Sequence, residues 1–376
     1  MDKFIIRSED LKDVCGKILT AVDSTELSLV TETLELVAKD DVLTVGVTNR
    51  EYFAEVKFKL EDVQDFHATV NATLFLKLVS QITTDTIALS VDKNSLVVEG
   101  NGTYRLPLIF EGENLLTLPR IEIENPTVSF PIGAEVLNSI LQYNSKELNK
   151  GTISKPVQKL YYVDELGAIT FTSGACVNSF TLPKPIKVLF NGRLVKLFKL
   201  FKEGKVEFTL GYDALSDEII QSKVRFNNGE VSITAILSCD DTLVNSVPVQ
   251  GIRSRANNPY PYSINMNKSQ LLQTINRLTL FTGSDSSFSK PYGTFEFGPK
   301  SVTVYDSRHE NCEEIFYTNE DSNVEDTYTA MFNLADLKTT LETCTEPYLC
   351  MSFGDSSAMV ISRGNVKNVI PEVKLS

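Results

Sequence analysis

Val70-Asn71-Ala72-Thr73-Leu74-Phe75, Phe190-Asn191-Gly192-Arg193-Leu194-Val195 and Phe332-Asn333-Leu334-Ala335-Asp336-Leu337 share one arrangement: an apolar residue enters an asparagine, and a run of helical apolar spacing follows. An asparagine side chain accepts from the free N–H groups of a first helical turn, so each junction reads as a strand running into a helix. The three asparagines are 120 and 142 residues apart, a domain length each time. A common cap residue would by itself account for the asparagines. It does not account for the order of elements around them, which also recurs.

Upstream of Asn71, Leu11, Val14, Cys15, Ile18, Leu19 and Val22 lie on one helical face after Ser8, and alternating strands follow, with Val56, Phe58 and Leu60 set between Glu55, Lys57 and Lys59. The helix after Asn71 carries Leu74, Phe75, Leu78, Val79 and Ile82 inward, and strands near 87–91, 96–98 and 104–110 close the unit. After Pro126 the order repeats: a strand, a helix with Val136, Leu137, Ile140 and Leu141 inward, three strands, the helix after Asn191 and three more strands. Pro248 to Pro261, rich in Pro, Gly and Asn, reads as a linker. The third round has a helix with Leu271, Leu272, Ile275 and Leu278 ending near Gly283, the helix after Asn333, and strands to Leu375. The expectation is an α+β chain of three similar domains, 1–122, 123–250 and 258–376, each with two helices packed on antiparallel sheets.

Composition narrows the chemistry. The chain has 376 residues, 42% of them hydrophobic, enough for a sizeable core. No run approaches the roughly 18 to 20 apolar residues of a membrane span, and MDKFIIRSEDLKD is too charged for a signal peptide, so a soluble cytoplasmic protein without membrane contact is expected. Six cysteines without a CxxC pair, and only His67 and His309, supply little for zinc or for a nucleophile needing an imidazole base. Nucleotide-loop and hydrolase motifs are absent. Asp240-Asp241, or Asp213 with Asp217 and Glu218, read as solvated acidic loops rather than metal ligands, and Gly283 to Ser287 as a turn rather than a phosphate loop. No enzyme activity, metal or cofactor is expected.

The cations carry more information than the acids. In the helix after Asn191, Arg193, Lys196, Lys199 and Lys202 spread opposite Leu194, Leu197, Phe198 and Phe201, with no acid among them, on a chain of formal net charge −13. Lys77 and Arg277 also leave the apolar stripes of their helices, and Lys12, Lys17 and Lys338 lie on the flanks. Lysine on a solvated face is the ordinary reading. Dispersed cations on helices of an otherwise acidic protein also form an electrostatic track for a phosphate backbone, attractive to a polyanion without reading bases.

Met1 to Arg7 with the helix after Ser8, Thr172-Ser173-Gly174-Ala175-Cys176-Val177, Glu310 to Phe316, Phe332-Asn333-Leu334 and Val369-Ile370-Pro371-Glu372-Val373-Lys374-Leu375 together give the chain a resemblance to the bacterial-type DNA polymerase III beta sliding clamps, in a divergent or phage-encoded version. The resemblance runs the whole length. It implies half of a dimeric six-domain ring that encircles double-stranded DNA without sequence preference and confers processivity on a DNA polymerase, with a clamp loader as a further partner. It also implies a partner-peptide cleft at Thr172, Gly174, Val177, Asn333, Val360, Ile370, Pro371 and Leu375. A homodimer seam is implied at Arg105 and Glu313 or Glu314, where edge strands pair. Two departures touch the cleft: the family's His-Arg pair is Ala175-Cys176 here, and the tail carries Glu372 and an extra Ser376. The rival reading is a structural oligomer, such as a virion component, that never touches DNA.

Overall fold

A computed structural model describes residues 3–22, 28–60, 65–148, 155–214, 220–237, 241–282, 292–317 and 321–374. The helices are α1 (Ser8–Leu19), α2 (Ala72–Gln81), α3 (Ala134–Ser139), α4 (Ser145–Glu147), α5 (Gly192–Lys196), α6 (Asp241–Asn245), α7 (Val249–Ala256), α8 (Lys268–Thr282) and α9 (Leu334–Glu342). The chain divides into two compact units, 1–138 with 193–238 and 139–192 with 239–376. The stretch expected as the middle domain contributes to both.

In the first unit, Phe4–Arg7, Thr86–Asp92, Ser95–Glu99 and Thr103–Pro107 form a four-stranded sheet in that order. An eight-stranded sheet runs Asn125–Gly133, Lys205–Ala214, Ile220–Asn227, Val231–Ile236, Tyr52–Lys59, Val42–Thr48, Thr33–Lys39, Phe66–Asn71. In the second unit the eight-stranded sheet runs Lys187–Phe190, Tyr161–Asp164, Gly167–Phe171, Ala175–Ser179, Val366–Pro371, Ala358–Arg363, Tyr348–Phe353, Tyr262–Asn267. Its four-stranded partner runs Cys312–Phe316, Ser301–Tyr305, Tyr292–Phe297, Tyr328–Asn333.

Split at two joints, these sheets become six quartets of two kinds. One kind is a first strand followed by the three strands after a module's second helix: 4–7 with 86–107, 125–133 with 205–236, and 262–267 with 348–371. The other is the three strands after the first helix plus the strand leading into the second: 33–71, 161–190 and 292–333. The repeated order seen in the sequence is therefore a threefold repeat of strand topology. The last strand of the first kind pairs antiparallel with the third strand of the second kind at both joints, Val231 opposite Val56 and Ala175 opposite Val369.

The helices follow from their sequences with four differences. Asn71 accepts from Leu74 N–H at 2.9 Å, and Asn333 accepts from Ala335 N–H at 2.9 Å and Asp336 N–H at 3.2 Å, as caps should. In α2 the buried stripe is Ala72, Phe75, Leu76 and Val79, and Leu74 is left exposed because its position on the wheel falls to the outer side. The helix with Val136 and Leu137 breaks into a π turn at Ile140–Asn144 before α4, so Asn144 and Glu147 face inward and Leu141 is only half-buried. The expected linker after Pro248 is mostly α7: proline is tolerated at a helix start, and Val249, Ile252 and Ala256 give the segment an apolar face packed on the second unit's core. The helix after Asn191 is short, α5 followed by a 3-10 turn at Leu197–Leu200, and seats Phe198 on Phe226 edge to face with ring centroids 5.0 Å apart.

Candidate partner cleft and cationic faces

The turn Thr172-Ser173-Gly174 is built from below. Thr172 N–H donates to Gly174 O at 2.9 Å, and the Thr172 hydroxyl donates to the carboxylate of buried Glu147 at 3.0 Å. Gln158 donates to Thr172 O at 3.0 Å. The Asn144 amide faces Ala168 O, Thr170 Oγ1 and Cys176 O at 3.3 to 3.4 Å. The π turn thus aims Asn144 at the two strands that carry the turn, and α4 after it aims Glu147 at the turn itself. Ser173 donates to Asp336 in the first turn of α9 at 2.7 Å. Gly174 lies so near the last strand that a Cβ there would meet Val369 O at 2.4 Å, which is why no larger residue serves.

Above this turn is a cleft of about 180 Å³ lined by Phe171, Thr172, Ser173, Gly174, Ala175, Pro248, Ile252, Arg255, Val369 and Pro371. Of the residues expected there, Thr172, Gly174 and Pro371 line it, and Val177 and Val360 belong to the apolar cluster of α7 and these strands. Ile370 does not belong to the cleft: side chains alternate along a strand, so Val369 and Pro371 face it while Ile370 enters the other core cluster. Asn333 is buried as the cap of α9 and acts on the cleft only through Asp336. Leu375 lies outside the described residues. The α7 contribution, Pro248, Ile252 and Arg255, is what reading 248–261 as a linker missed; the spacing of Val249, Ile252 and Ala256 was the available signal. A bidentate ion pair holds α7 in place, Arg253 Nη1 and Nη2 donating to buried Asp164 at 2.7 and 2.6 Å, and this partnership raises the guanidinium's proton affinity further.

The cations divide into two groups. Lys196, Lys199, Lys202 and Lys77 are exposed and Lys12 and Lys338 half-buried, none with an ion partner among the described residues. Lys17 is held by Asp13 at 2.5 Å and by Glu230, and Arg193 stands 3.3 Å from Glu51. Arg277, expected to face DNA, and Glu313, expected at the seam, are instead joined to each other by two hydrogen bonds of 2.6 Å. These bonds, with one from Thr274, outweigh burial and lower the Glu313 carboxyl below its usual range.

At the expected seam, Thr103–Pro107 and Cys312–Phe316 are both edge strands, each with one side of its backbone unpaired by its sheet. Arg105 bonds Asp92 at 2.7 Å and Ser301 bonds Glu314 at 2.6 Å. Beside the charges stand apolar residues that the sequence reading did not single out. Tyr104 and Phe316 lie on the two edges, and Leu280 and Phe281 at the end of α8 are 79% and 51% exposed. The acids expected as solvated loops differ in one case: Asp213 is buried against Lys223, while Asp217, Glu218, Asp240 and Gly283 to Ser287 lie outside the described residues. No group of three or more metal-ligating side chains occurs among the described residues, and no described helix is long and apolar enough to cross a membrane.

Topology, cleft and edges define the class: the fold is that of the bacterial beta sliding clamps. Residues 2–122 match the family model of the DNA polymerase III beta subunit, N-terminal domain. A beta sliding clamp of Mycoplasmopsis pulmonis is 26% identical over 144 residues, 38% of this chain and about a third (35%) of that protein. Among solved structures, the Pseudomonas aeruginosa sliding clamp bound to griselimycin superposes with a TM-score of 0.78 at 14% identity, covering 99% of both chains. The Bacillus subtilis polymerase sliding clamp gives 0.77 at 15% identity over 100% of this chain and 99% of that one.

Proposed function

We propose that this chain is a DNA sliding clamp: a non-catalytic processivity factor whose two copies close head to tail around duplex DNA, tether a DNA polymerase and are opened by a clamp loader. The observation that carries the reading is the unfinished repeat. The six quartets make two strand-to-strand joints within the chain, and we assign them to three modules, 1–122, 123–250 and 258–376. The two quartets left over expose the strands that a third such joint would use, Thr103–Pro107 and Cys312–Phe316. A second copy completes both seams, with Tyr104 meeting Phe316, Leu280 and Phe281 as its apolar part. Such head-to-tail contacts are heterologous, so they yield a closed ring only when the rotation closes. The unpaired lysines then supply a dispersed phosphate track, and the remaining acidity of the chain keeps adhesion weak enough to slide. The cleft supports a docking site for a peptide of the polymerase or loader, raising effective concentration at the primer end.

Primer extension with the cognate polymerase tests this reading. Charge reversal at Lys196 and Lys199 is expected to cut loading or processivity several-fold while the circular dichroism spectrum stays that of the parent. Unchanged processivity would remove the lysines from the DNA track.

A further inference from the structure

Arg255 is the one charged side chain lining the cleft, and it has no ion partner among the described residues. Five carboxylates of the same unit are already engaged. Asp336 accepts from Ser173, Glu147 from Thr172, Glu372 from Tyr328 at 2.8 Å, Asp164 from Arg253, and Asp355 from Asn258 and Ser357. The rest of the lining is aliphatic, aromatic or small and uncharged: Phe171, Ala175, Pro248, Ile252, Val369 and Pro371 with the 172–174 turn. An apolar cavity with a lone cation on its rim is complementary to an apolar anchor next to a carboxylate, and it disfavours an ammonium at the same place.

We infer that Arg255 is the specificity-determining residue of the cleft, selecting partner peptides in which an aspartate or glutamate flanks the apolar anchor. This rests on the cleft being the peptide-docking site. Arg255 stands on the exposed side of α7, whose buried side is fixed by Val249, Ile252 and Ala256 and by the Arg253–Asp164 pair, so its guanidinium is presented from a rigid base. A planar fork of donors suits a carboxylate bidentately, which a lysine in the same place would not reproduce.

Fluorescence anisotropy on the full-length protein tests it, with labelled short peptides that share a dileucine anchor flanked on both sides by Glu, Gln or Lys. The Glu peptide is expected to bind about fivefold more tightly than the Gln peptide, the size of a rim ion pair, with the Lys peptide weakest. Arg255→Gln is expected to erase the difference and Arg255→Glu to invert it, the preference fading as salt rises. Ile252→Ser, which trims the apolar wall, is expected to weaken all three peptides alike. Equal binding of the three peptides by the parent, or a preference for Glu that survives in Arg255→Gln, overturns the assignment of Arg255. Binding untouched by Ile252→Ser, or no binding of any peptide, overturns the cleft reading and the assignment with it.

Discussion

Gly174 and Asp213 show how single residues set this structure. A side chain at 174 would collide with the Val369 carbonyl, so Gly174→Val must push the turn off the last strand. The expected cost is about 1–3 kcal/mol in urea denaturation, together with loss of peptide binding. Asp213 is buried, which alone would raise its carboxyl. The bond from Lys223, the Glu124 N–H donating at 2.9 Å and the lysine's charge outweigh burial and hold it below its usual value. A carboxyl lowered on folding contributes stability above its unfolded pKa of about 3.9 and loses it as pH falls through the folded value. The thermal midpoint is therefore expected to drop with acidification below about pH 5, and less steeply in Asp213→Asn. Equal slopes in the two proteins would show that this carboxyl is not one of the acid-sensitive groups. Asp213 also marks a limit of sequence reading. An acid four and five residues from Asp217 and Glu218 looks like a solvated loop, and only strand pairing places Lys223 across from it, with Gly211 as that lysine's register partner.

At the scale of elements, periodicity carried most of the fold. The asparagine caps, the stripes of α1, α8 and α9 and nearly every strand are legible because a half-buried element must repeat at 3.6 or 2 residues. One helix, and a break within another, were obscured by composition. α7 begins at a proline and contains Gly251, so local punctuation hides an apolar spacing of three and four. The helix with Leu137 and Ile140, both buried, is legible, but its break at the π turn is not, because the side chains turned inward beyond it, Asn144 and Glu147, are polar and serve the strands and turn around Thr172. The cleft was legible only from its strand side for the same reason. Arg253→Ala is expected to destabilise the protein by about 3 kcal/mol, since it leaves Asp164 buried without its partner, and to loosen α7 in hydrogen exchange. Protection of the α7 amides at the parent level would show that Asp164 does not anchor this helix.

At the scale of the whole molecule, one strand arrangement occurs three times, and two of its three joints are satisfied internally. The strands that a third would use are open edges, and with Tyr104 and Phe316 on them and Leu280 and Phe281 exposed at the end of α8 they are a liability for open-ended association unless a second copy covers them, as proposed above. Phe316→Glu with Leu280→Glu is expected to give monomers by mass photometry where the parent gives dimers, with little change in thermal stability of the modules. The central claim is topological, and retention on capped DNA reads it most directly. The protein is threaded onto a linear duplex biotinylated at both ends, streptavidin is added, and the complex is passed over a gel-filtration column in high salt. Co-elution with the capped duplex and release on cutting it with a restriction enzyme are expected. Binding that ignores the end caps, or that high salt abolishes before the cut, would contradict a closed ring around the double helix.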